Sequence, residues 1–188
     1  SHPKFLIELF KNESSEISEG TVEIISVARE PGARSKIAVK SNDERVDPIG
    51  ACVGQRGVRV NAITNELGGE KIDIIEWSDD IKKNISSSLS PAKVLSIEID
   101  EEEKKASVKV SVEEQSLAIG RGGQNVRLAA KLTGWKIDVT SEGGDLIVEA
   151  DDEGVVDGEV LEDEPEAHGE SIDQEIAEEL KENENKTE

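Results

Sequence analysis

Methionine and tyrosine are missing from this sequence of 188 residues, and cysteine occurs once, at Cys52. A single cysteine excludes an intramolecular disulfide and any cysteine-rich zinc site. Next to an apolar helix signal it reads as a small buried filler. Aromatic residues are almost as scarce, being confined to Phe5, Phe10, Trp77 and Trp135. No predicted strand carries one in its middle, which excludes an open sheet that stacks nucleobases on rows of rings. The two tryptophans are expected in core or interdomain packing. The two histidines, His2 and His168, stand far apart. With no paired histidine and nucleophile, no G-x-x-x-x-G-K-[ST] loop and no metal cluster, the chain does not read as an enzyme and calls for no cofactor or metal. It lacks an apolar run long enough to span a bilayer and a signal-peptide pattern, so a cytoplasmic protein with no membrane partner is expected. A chain that opens on Ser1 and contains no Met also reads as a piece of a longer protein, or a processed one.

Positive charge is in short supply overall, with 22 Lys and Arg against 43 Asp and Glu for a net charge of −21. Read by segment, the balance changes. From Glu142 onward there are 20 acidic and 2 basic residues, a net of −18, which leaves −3 for residues 1–141. The body is nearly neutral and the tail polyanionic. Acidic, without aromatics and poor in apolar residues, residues 142–188 are expected to be disordered. Ile172–Leu180 is a short amphipathic stretch, too short for a stable isolated helix.

What the sequence does contain is one pattern written twice. Residues 53–74 read VGQRGVRVNAITNELGGEKIDI and residues 119–139 read IGRGGQNVRLAAKLTGWKIDV. The offset is 66 residues at the glycines and 65 at Lys-Ile-Asp. A repeat of this length is one supersecondary unit used twice. In the first unit, Pro3 to Phe10 has a helical apolar face, Thr21 to Arg29 and Ser35 to Lys40 read as a hairpin around Pro31-Gly32, and Asp47-Pro48 starts a helix with Asp as N-cap. A second helix, Val58 to Leu67, ends at Gly68-Gly69, and Lys71 to Trp77 is a strand. The second unit repeats this order: helix 79–89, strands 93–100 and 106–112, a lead into the second loop, helix 124–132 and strand 135–140. The expected fold class is therefore α+β, with two α-β-β-α-α-β units over residues 1–77 and 78–141, each a three-stranded sheet packed by helices.

A lone G-x-x-G carries little weight, because about one match arises by chance at this glycine content. Here each match joins two helices at the same place in the same element order. Glycine reaches left-handed backbone angles, so it ends one helix and starts the next in a tight turn. It has no side chain to keep a sugar-phosphate backbone away, and the following helix points free N–H groups and a positive dipole end outward. The candidate binding residues are Gly54, Gln55, Arg56, Gly57 and Arg59 in the first unit, and Gly120, Arg121, Gly122, Gly123 and Arg127 in the second. Ile49, Val53, Val60 and residues 37–39 are candidates for the first aliphatic groove, and Leu117, Ile119, Leu128 and residues 108–110 for the second. A G-x-x-G loop clamping single-stranded nucleic acid defines the KH domain.

The helix-first order resembles the bacterial, type II KH topology, and the tandem is similar to the KH module of the NusA family of transcription elongation, termination and antitermination factors. The similarity lies in TVEIISVARE (21–30), VDPIGACVGQRG (46–57), EKIDIIEW (70–77), LSPAK (89–93) and SLAIGRGGQNVRLAAKLTGWKID (116–138). It implies binding of nascent single-stranded RNA beside RNA polymerase, with effects on pausing, termination and antitermination. It also implies that the family's polymerase-binding amino-terminal domain and oligonucleotide-binding β-barrel lie outside this sequence. Two departures stand out. The second loop carries three glycines and one charged side chain, so a looser grip is expected, and the acidic tail matches no folded repeat. Two readings stay open: an RNA-binding tandem KH module, in which the tail competes with RNA by contacting the KH surface, or a KH-fold protein-interaction scaffold.

Overall fold

The computed structural model describes residues 2–154 and 156–158. Helix α1 (Pro3–Glu13) starts with proline in its first turn and with the His2 ring accepting from the Lys4 amide at 3.2 Å, and it buries Leu6, Leu9 and Phe10. A short helix α2 (Ser15–Ser18), which the sequence reading did not contain, adds Ile17 to that core. Strands β1 (Val22–Glu30) and β2 (Arg34–Ser41) form the expected antiparallel hairpin. Helices α3 (Pro48–Val53) and α4 (Val58–Glu66) then cross over to β3 (Lys71–Glu76), which lies parallel to β2. Asp47 caps α3 as its position implied, accepting from the Ile49 amide at 3.0 Å.

The second unit follows the same order through α5 (Ile81–Ser88), β4 (Val94–Asp100), β5 (Lys105–Val110), α6 (Gln115–Ile119), α7 (Gln124–Thr133) and β6 (Lys136–Thr140). It then departs from the sequence reading. Strands β7 (Leu146–Ala150) and β8 (Val156–Gly158) extend the second sheet, giving five strands in the order β4-β5-β6-β7-β8 rather than three. Part of the segment assigned to the acidic tail is thus folded. Val148 and Ala150 alternate with Glu149, so one face of β7 enters the core while the acid stays outside. The remainder of the tail, residues 159–188, with the amphipathic stretch 172–180, lies outside the described residues.

The two units share a core. Along β2, Ile37 and Val39 face the first unit's helices, while Ala38 on the opposite face joins Ala28 and Ile75 against Leu128 and Leu132 of α7. Both faces of this sheet are covered, and the small Ala28 and Ala38 let a helix approach closely. Burying the two leucines contributes about 1.5–3 kcal/mol each. Trp77 packs against this junction and Trp135 against the second core, as expected for both. Leu128 was a candidate for the second groove, but it belongs to the junction. Residues 37–39, 108, 110 and 119 are likewise buried in the cores rather than lining grooves.

Polar contacts fix the register of the junction. The Ser26 hydroxyl donates to the Leu132 carbonyl at 2.8 Å, and Lys36 Nζ reaches the Ser90 carbonyl at 3.1 Å and Asp73 at 3.0 Å. Glu30, at the end of β1, accepts from Gln124 Nε2 at 2.6 Å and from Arg127 Nε at 2.5 Å. Burial raises the Glu30 carboxyl, and the hydrogen bonds from Arg127 and Gln124 outweigh it and hold the group below the usual carboxylate range.

Candidate nucleic-acid interface

Each loop is built from a helix that stops at a glycine, a single 3-10 turn and a new helix. Gly54 ends α3 with φ 73° and ψ 173°, and Gly120 ends α6 with φ 73° and ψ 169°. The third residue of each turn is left-handed: Arg56 at φ 53°, ψ 27° and Gly122 at φ 56°, ψ 29°. The last glycine, Gly57 or Gly123, is left-handed again at φ 79° or 74° and sits at the N-cap of α4 or α7. The two turns therefore share one backbone conformation, although only the second has glycine at its third position. Neither N-cap has a side chain to bond the first-turn amides, so both helix starts keep the donors and positive dipole end that suit an anion.

Access differs between the loops. Gln55 and Arg56 are exposed at the first, and Arg121 and Gly122 at the second. Gly123 is buried, because Val156 of β8 lies over it; a Cβ built there would come 3.0 Å from Val156 Cγ1. Behind the first loop a groove of about 660 Å³ is lined by Glu16, Arg45, Asp47, Gly50, Gly54 and Arg59, among others. Arg45, exposed on this groove and bonded to Asp43 at 2.7 Å, was not singled out from the sequence, because it precedes the glycine motif although the groove is lined almost entirely by residues 45–59. Cys52 is buried beside the loop, and burial pushes its thiol up to about 12, so it is inert packing.

Arg59 and Arg127 face protein groups. Arg59 Nη1 donates to the Ala51 carbonyl at 2.6 Å and to Glu16 at 3.1 Å. Arg127 is held by Glu30 and donates from Nη1 to the Gly122 carbonyl at 3.0 Å. The exposed candidate residues at the turns are Gln55 and Arg56 in one unit and Arg121 and Gly122 in the other, about glycines of matching geometry. Among the described residues no group of His, Cys, Asp and Glu could hold a metal ion, and no helix is long and apolar enough to cross a membrane.

Two helix-first α+β units, each with a G-x-x-G turn between paired helices, define a tandem KH protein. Residues 1–77 match the family model for a NusA-like first KH domain, and residues 81–145 match that for a NusA-like second KH domain. The chain is 58% identical over 142 residues to the transcription termination/antitermination protein NusA of Bacillus subtilis (strain 168), covering 76% of this chain and 38% of that protein. It is 60% identical over 137 residues to the NusA protein of Thermus thermophilus, covering 73% of this chain and 35% of that one. Against the NusA protein of Halalkalibacterium halodurans the identity is 52% over 178 residues, 94% of this chain and 44% of the relative, a match long enough to run into the acidic segment. The fold also matches the crystal structure of APE1850, with TM-score 0.54 and 23% identity over 74% of this chain and 97% of that one. The chain belongs to the NusA family, as its tandem KH region, and spans less than half the length of these curated relatives.

Proposed function

We propose that this chain binds single-stranded RNA through both G-x-x-G turns, as the part of a cytoplasmic transcription factor that holds the nascent transcript while the whole protein acts with RNA polymerase in pausing, termination and antitermination. The observation that carries this reading is the shared backbone conformation of the two turns, each placing uncapped helix amides beside glycines and an exposed arginine. Phosphate oxygens lie against the amides, while Arg56 and Arg121 supply the charge. The junction around Leu128, Leu132 and Glu30 sets the spacing between the two clamps.

Titration with short RNA oligomers at several salt concentrations tests the proposal. If four to six phosphates are held, log K falls against log[salt] with a slope of about −3 to −4. The double substitution Arg56→Asp and Gly122→Asp places carboxylates at two exposed left-handed positions, which aspartate tolerates, and a Cβ at Gly122 meets nothing within 4 Å. It should abolish binding and leave the circular dichroism unchanged. Normal binding by that variant overturns the reading, and a wild-type chain with no salt-dependent RNA affinity points instead to a protein-interaction scaffold.

A further inference from the structure

The two turns share a second feature, placed two residues beyond the last glycine. Arg59 and Asn125 occupy equivalent positions, and both side chains fold back beneath the turn. Arg59 Nη1 donates to the carbonyl of Ala51 at 2.6 Å. Asn125 Nδ2 lies 2.9 Å from the carbonyl of Leu117, 3.2 Å from that of Ala118, and 2.9 Å from that of Leu89 at the end of α5. Ala51 and Leu117 correspond, each three residues before the first glycine of its turn.

These carbonyls belong to the last turn of a helix that a glycine has just ended, where intrahelical donors run out. The amide of Gly54 takes the Gly50 carbonyl at 2.9 Å, and the amide of Gly120 takes that of Ser116 at 2.8 Å. The next carbonyl along, Ala51 or Leu117, is the one met by the returning side chain. The fit is close: a Cβ on Gly54 would stand 2.7 Å from Arg59 Cγ, and one on Gly120 would stand 2.7 Å from Asn125 Cβ. The first glycine of each turn is therefore required by a protein side chain passing under it, apart from any need of a nucleic acid. The shared property is donation rather than charge, because Asn125 is neutral and the Arg59 guanidinium is matched by Glu16 at 3.1 Å.

We infer that Arg59 and Asn125 are equivalent positioning residues that tie the end of one helix to the start of the next and hold each G-x-x-G turn in its binding geometry before any ligand arrives, and that Arg59 is not a phosphate ligand. The consequence for RNA rests on the function proposed above; the tie itself does not.

Arg59→Leu, Arg59→Lys and Asn125→Ala provide the test, with two readouts. In the RNA-free protein, exchange of the hydrogen-bonded amides of Gly54 and Gly57 should accelerate about tenfold in Arg59→Leu, the worth of one hydrogen bond. Amides of β1 to β3 should stay protected, and Arg59→Lys should recover part of the loss through its single ammonium donor. In RNA titrations Arg59→Leu should weaken binding with the salt slope unchanged, whereas loss of a phosphate ligand would reduce the slope by about 0.7. Unaltered exchange at Gly54 and Gly57, or a reduced slope, overturns the assignment. Asn125 is buried, so Asn125→Ala is read at the bonded amides of Gly120 and Gly123 if it folds; if it does not, the Arg59 variants decide alone. Should the wild-type chain fail to bind RNA, the proposed function falls, while the exchange measurement still decides the tie.

Discussion

Glu70 shows how a buried carboxylate is kept ionised in the first unit. It is fully buried, at the entry to β3, and accepts from Arg29 Nε at 2.7 Å and Nη2 at 2.9 Å, from the Ser35 hydroxyl at 2.5 Å and from the Gly32 amide at 2.9 Å. Burial raises its carboxyl, but these four donors outweigh it and bring the group down to about 2. A carboxyl depressed in the folded state contributes stability that is fully present above its unfolded value and is lost as pH falls through the folded one. Glu70→Gln leaves the Arg29 charge buried without a counterion and should cost about 3 kcal/mol near neutral pH. The gap between wild type and variant, measured by urea midpoints, should hold down to about pH 5 and close toward pH 2. Arg56 makes the complementary case on the surface. It holds a left-handed conformation that the other turn gives to Gly122. Arg56→Gly removes a backbone penalty of about 1 kcal/mol and returns part of it through a looser unfolded chain. Thermal stability should therefore stay within a few degrees of wild type while the salt slope of RNA binding falls by about 0.7, a split that separates the arginine's charge from its place in the turn.

Among the elements, the hairpins, the α3 cap and both turns were legible because their signals are local: Asp-Pro at a helix start, glycines at two tight bends, β-branched runs either side of Pro31-Gly32. Strands β7 and β8 were not. The alternation at Leu146, Val148 and Ala150 sits among Asp145, Glu149 and Asp151, and segment composition masked a period-two pattern of only five residues. The protein partners of Arg59 and Arg127 were hidden for another reason. Their carboxylate partners stand 43 and 97 residues away, so the sequence displays the charge without its match. The added strands also change where the chain can be cut. Truncation after Ser141 would strip Val148 and Ala150 from the second core, bare the edge of β6 and uncover Gly123. Removing two buried side chains costs several kcal/mol, at about 1.5–3 kcal/mol for a valine and less for an alanine. That fragment should melt well below the intact chain, whereas one ending at Gly158 should match it in thermal denaturation.

At the scale of the whole molecule, charge is divided between a folded body with exposed arginines at its turns and an acidic segment that follows directly from β8. Inside the fold, the acidic run approaches the second turn: Val156 covers Gly123, and a Cβ at Gly154 would meet the stems of Lys131 and Arg127. Residues 159–188 carry 13 of the tail's 20 acidic residues. A tethered chain reaches an effective concentration of about a millimolar near its anchor, enough to compete with RNA for the same arginines. Competition of this kind is screened by salt, with a Debye length of about 10 Å at 0.1 M. A chain ending at Gly158 should therefore bind RNA more tightly than the full sequence, with the difference largest at low salt. Because that fragment keeps β7 and β8, a gain in affinity would be due to the acidic residues alone, and equal affinity at every salt concentration would reduce the segment to a solubilising role.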